Sequence, residues 1–80
     1  MGGKTEKEIL LILEEAIERE KAAYRLYSRG EALAEKGEIK RIFAMLAKEE
    51  QGHENLLKQV YYDYKKRLGL KVLRPGEDEQ

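Results

Sequence analysis

The chain has 80 residues, 16 basic and 16 acidic side chains in balance, 41% hydrophobic residues and no cysteine. Such a length carries one small domain at most, and many chains of this size gain stability by associating. The even charge leaves no electrostatic footprint for nucleic acid or an anionic membrane, and the missing cysteines exclude disulfides, zinc–thiolate sites and iron–sulfur clusters.

The longest apolar run, Ile9 to Leu13, falls far short of the roughly 20 residues that span a bilayer. Glu14 and Glu15 follow it directly, which is unlike a secretory signal, and Glu6 stands where N-myristoylation wants Ser or Thr. A soluble, cytoplasmic protein with neither nucleic acid nor membrane as partner is expected. Charged residues are mostly Glu and Lys, a usage shared with proteins of heat-loving organisms.

Thr5 and Glu8 have the spacing of a capping box and predict the start of a first helix. Ile9, Leu13, Ala16, Ala23, Tyr27 and Ala34 then recur at helical spacing, with Ile12, Ile17 and Tyr24 flanking them. Gly37 suits the left-handed residue that closes a helix, so helix 1 is placed at about 5–36. Helix 2, at about 38–68, carries Ile39, Ile42, Phe43, Leu46, Leu57, Val60, Tyr64 and Leu68 on one stripe. Lys65, Lys66 and Arg67 favour the negative end of its dipole, and Gly69 stops it. Residues 69–80 form a C-terminal tail ending in the polar run Pro75 to Gln80.

A connection of a couple of residues forces the two helices antiparallel. Two helices cannot cover each other's apolar stripes, so a second copy is the simplest cover. The predicted fold is therefore all-α: an antiparallel two-helix hairpin, occupying 1–68, that dimerises into a four-helix bundle.

Polar residues interrupt both stripes. On helix 1 the inward series 9, 13, 16, 20, 23, 27 includes Glu20, and on helix 2 the series 46, 50, 53, 57 includes Glu50 and His53. Glu50 and His53, spaced i, i+3, project from one face as a Glu-x-x-His pair. With the turn at residue 37, Glu20 lies 17 residues before it and His53 16 after, so at about 1.5 Å per residue they share one level. Both also sit near the midpoints of their helices, which a two-fold pairing of hairpins would superpose. A dimer would then gather four carboxylates and two imidazoles. This is the ligand set of a two-metal carboxylate bundle, and two divalent ions would neutralise four carboxylates that are costly to bury alone. Carboxylate and imidazole donors suit iron, two per dimer, with manganese or zinc as other occupants.

Residues 14–60 resemble the rubrerythrin-type, ferritin-like di-iron proteins. The likeness rests on Ala16-Ile17-Glu18-Arg19-Glu20, on Tyr27 seven residues after Glu20, and on Glu49-Glu50-Gln51-Gly52-His53. Members of that family usually carry the Glu and Glu-x-x-His motifs twice within four helices, whereas each occurs once here. The chain thus looks like half of their bundle, and is similar to the encapsulated ferritins, two-helix chains that build their iron site across a dimer interface. The resemblance implies metal ligands Glu20, Glu50 and His53, a homodimer or larger even-numbered oligomer, an enclosing shell protein as a further partner, and ferroxidase activity: Fe(II) oxidation by O₂ or peroxide for storage or detoxification. Typical rubrerythrins add a cysteine-rich electron-transfer segment. Its absence here points away from a peroxidase unless an external reductant serves.

Glu18 and Glu49 are the rivals of Glu20 and Glu50, and both fall off the inferred stripes. Tyr27 and Glu49 are candidate hydrogen-bond supports for the ligands, with core packing the plainer role for Tyr27. Gly52 leaves room for close helix approach. The alternative function is a metal-free helical dimerisation or adaptor module, in which Glu50 and His53 are partly solvated polar residues.

Overall fold

The computed structural model describes residues 2–69, and within them two helices pack against each other: α1, Gly2–Ala34, and α2, Glu38–Arg67. The tail assigned to 69–80 lies outside the described residues beyond Gly69.

The helix ends differ from the expectation in instructive ways. α1 begins at Gly2, so Thr5 and Glu8 lie inside its first turns and the capping box is not its start signal. α1 ends at Ala34, and the residue that turns left-handed after it is Glu35, at φ 64°. Gly37 serves the other side of the turn. It is the residue before α2, at φ 96° and ψ −171°, a conformation open to little besides glycine. Lys40 of α2 reaches back to donate from Nζ to the Glu31 carbonyl oxygen at 2.8 Å. That carbonyl lies in the last turn of α1, where backbone acceptors have no partner within the helix.

The seam between the helices is narrow. Leu10, Ile17 and Ala47 are its buried apolar residues, and among the described residues no side chain is less than 2% exposed. Ile9 and Ile12, expected on or beside the inward stripe, are 39% and 63% exposed. Ile39, Ile42 and Val60 of α2 are likewise exposed. The reason is geometric: apolar residues cover more than one side of each helix. Leu10 and Ile17 take the side facing α2, while Ile9, Ile12, Ile39, Ile42 and Val60 form an apolar face beside the seam.

Two contacts pin the helices together, one near the turn and one at the open end. Near the turn, Tyr27 stacks on Phe43 with ring centroids 6.4 Å apart. Gly30 lets that ring approach: a Cβ at this position would meet Phe43 ring carbons at 2.8 Å. At the open end, the Tyr61 hydroxyl donates a short hydrogen bond to a Glu14 carboxylate oxygen, and the Lys65 ammonium lies 5.2 Å from the Tyr61 ring centroid. Arg19–Glu15, Lys21–Glu18 and Lys58–Glu54 pair along single helices, at separations worth only tenths of a kcal/mol each at a surface. No helix among the described residues is long and apolar enough to cross a membrane.

Candidate metal centre

Glu20 lies at the middle of α1, and Glu50 and His53 at the middle of α2, one turn apart. The antiparallel pairing brings all three together. Each offers a ligand atom, and these atoms lie within 4.8 Å of one another. His53 Nδ1 stands 3.5 Å from Glu20 Oε1 and 3.5 Å from Glu50 Oε1. The two carboxylates are partly buried, with side chains 25% and 19% exposed, while the imidazole is 59% exposed. The group therefore sits on the side of the hairpin that carries the exposed apolar face.

The electrostatics are those of two carboxylates crowded in a partly shielded place. Glu20 Oε1 is closed off from solvent and accepts no hydrogen bond. An acceptor so placed is costly unless something donates or coordinates to it. The Glu20 carboxyl is held above the usual carboxylate range, first by hydrogen bonding with the neighbouring Glu50 carboxyl, then by burial, then by Glu50's charge, with His53 pulling the other way. Two carboxylates crowded this closely favour a proton or a cation between them.

This donor set fits a divalent metal ion. Two carboxylate oxygens and one imidazole nitrogen converge with no thiol present, a mixture suited to iron and its first-row neighbours. One hairpin supplies only three side chains.

A sequence model of the rubrerythrin family matches residues 6–79, nearly the whole chain. The chain belongs to the rubrerythrin family. Neither a curated protein nor a solved structure matches it. Membership accords with the helical hairpin and with the carboxylate–imidazole group at its centre, and implies a ferritin-like protein that binds iron.

The off-stripe residues fall where helical spacing puts them. Glu18 is exposed and pairs with Lys21 at 3.5 Å. Glu49 is exposed, outside the group of three. Tyr27 packs its ring on Phe43, two turns from Glu20. A Cβ at Gly52 would meet nothing within 4 Å, so this glycine makes no close approach within the hairpin. The close approach belongs instead to Gly30, which the sequence pattern did not single out, because nothing local distinguishes a glycine facing a ring from one facing water.

Proposed function

We propose that two copies of this rubrerythrin-family chain pair through their exposed apolar faces and hold two iron ions between Glu20, Glu50 and His53 of each, as a ferroxidase that oxidises Fe(II) for storage or detoxification. The observation that carries this reading is the convergence of the three ligand atoms within 4.8 Å, with Glu20 Oε1 shielded from solvent and accepting no hydrogen bond.

The chain's own residues would do three things. Glu20 and Glu50 bring the negative charge that draws and neutralises a divalent cation. His53 presents Nδ1 to the same point, and as a neutral base it completes the donor set without adding charge. The exposed apolar residues on either side of the group along the helices, Ile12 and Ile42 among them, would be covered by a second hairpin, which would shield the group from water. Iron held by these residues would supply the redox chemistry, the oxidation of Fe(II) with O₂ or peroxide as the electron acceptor.

The test is anaerobic loading with Fe(II), desalting, and measurement of iron and mass on the same sample. One iron per chain in a species of even chain number is expected, with Fe(II) oxidation on adding air. His53→Ala should lose the retained iron while the helical circular dichroism persists. Unchanged iron stoichiometry in that variant would remove His53 from the site. A helical dimer that retains no iron would favour the metal-free adaptor module.

A further inference from the structure

The outer flank of α1, turned away from the apolar face, is charged along its length. Lys4, Lys7, Glu14, Glu18 and Lys21 lie there on one stripe, at three- and four-residue spacing once Leu11 is counted between Lys7 and Glu14. Leu11 falls on this same stripe and is 62% exposed. Ile9 and Ile12 would be covered by a second hairpin, but Leu11 projects from the opposite flank and a dimer built on the metal-bearing face leaves it in water. A lone leucine there needs no explanation by itself. Its surroundings supply one.

Leu11 lines a cleft of about 330 Å³ with Lys7, Leu10, Glu14, Tyr61 and Lys65. Beside it a second hollow, about 180 Å³, is bounded by Gly3, Glu6, Lys7, Leu10 and Leu68. Leu10 and Lys7 belong to both, so the two make one groove across the open end of the hairpin. The groove floor is apolar and its walls are fixed by the Tyr61–Glu14 hydrogen bond and the Lys65–Tyr61 contact. Leu68, the last residue before the chain turns at Gly69 with φ 80°, forms part of its rim.

The next residues are Leu70-Lys71-Val72-Leu73, then Arg74-Pro75-Gly76 and the acidic Glu77-Asp78-Glu79. Three apolar side chains thus follow immediately on a residue that already lines the groove. Five extended residues reach about 17 Å, and Leu68 and Leu11 line adjoining hollows that share Lys7 and Leu10. The acidic run that follows can meet Lys7 and Lys65 on groove walls that also carry Glu6 and Glu14.

We propose that the tail segment Leu70–Leu73 of the same chain folds back over the open end of the hairpin and docks in the groove formed by Leu10, Leu11, Tyr61 and Leu68, with the acidic run Glu77–Glu79 held near Lys7 and Lys65. The tail then caps the hairpin on the side that a second copy does not reach. The inference stands apart from the metal chemistry and does not depend on it.

The chain has no cysteine, so a pair can be introduced without interference. In the full chain, the double variant Leu11→Cys with Val72→Cys should oxidise to an intrachain disulfide, at least roughly tenfold faster than Ile12→Cys with Val72→Cys, whose first cysteine lies on the other face. Equal rates for the two pairs would overturn the proposal. A disulfide joining two chains would overturn it as well, assigning the tail to a second copy. A second readout needs no cysteine: trypsin cuts after Lys71, and Leu11→Asp should speed that cut by roughly tenfold with helical circular dichroism and retained iron unchanged. An unaltered cleavage rate at Lys71 would show that Leu11 does not hold the tail.

Discussion

Tyr61 is the residue through which the two helices speak most directly at the open end. Burial, then its hydrogen bond to Glu14, then the charge of Glu14, push its phenol up to about 12. A phenol whose folded value lies above the ordinary value near 10 keeps its proton more tightly in the folded state. Its contribution is thus fully present below pH 10 and is lost as pH rises through 12. Stability by urea denaturation should fall between pH 10 and 12, and Tyr61→Phe should flatten that part of the profile while costing about 1 kcal/mol at pH 8 through the lost hydrogen bond. A profile identical in Tyr61→Phe and the parent chain would show that Tyr61 does not set it. The candidate metal ligands were legible in the sequence on quite different grounds. Glu20, Glu50 and His53 are polar interruptions of apolar stripes, and their distances from the turn put them at one height. Periodicity and rise per residue suffice for that inference, because a short antiparallel hairpin has little freedom to shift register. The Tyr61–Glu14 bond was not legible, since 47 residues separate the partners and many pairings satisfy the same spacing.

At the scale of the helix, two glycines in similar sequence settings do opposite work. Gly30 lies in α1 against the Phe43 ring, and Gly52 lies in α2 with open space where a Cβ would stand. Replacing glycine by alanine in an exposed helix interior adds about 1 kcal/mol of stability. Gly52→Ala should show that gain. At Gly30 the added methyl meets ring carbons at 2.8 Å, and the ring is held by its stack on Tyr27. Overpacking of this kind costs roughly 1–3 kcal/mol, which outweighs the helix gain, so Gly30→Ala should destabilise. Thermal melts of the two variants check both signs, and a gain in both would show that the Phe43 ring yields freely. The turn teaches a related lesson. Glycine's preference for left-handed backbone pointed to Gly37 as the close of α1, but Glu35 takes that conformation and Gly37 takes the more restrictive one before α2. Two unusual backbone positions stand two residues apart, and composition alone cannot say which one the glycine must fill.

Among the described residues the hairpin buries little apolar surface. Its buried apolar residues are Leu10, Ile17 and Ala47, whereas Ile9, Ile12, Ile39, Ile42 and Val60 remain in water on the face that bears Glu20, Glu50 and His53. The helical periodicity showed which residues are apolar. It could not show which of them meet the other helix and which stay exposed, because both sets recur at helical spacing. If a second hairpin covers that face, folding and association are one event, and stability must depend on concentration. Each tenfold rise in protein concentration should then add about 1.4 kcal/mol per dimer, seen as a melting temperature that climbs steadily with dilution reversed. Ile12→Lys places a charge on the face while leaving every candidate ligand intact. It should weaken association, lower the melting temperature at micromolar concentration and, because one hairpin supplies only three ligands, lose retained iron in step with the loss of even-numbered species. Mass photometry is unsuited to a 9.3 kDa chain, so light scattering coupled to size separation is the measurement. An Ile12→Lys chain that runs as a folded monomer and still holds iron would place the complete site within a single hairpin. A melting temperature independent of concentration would remove the exposed face as the place where two copies meet.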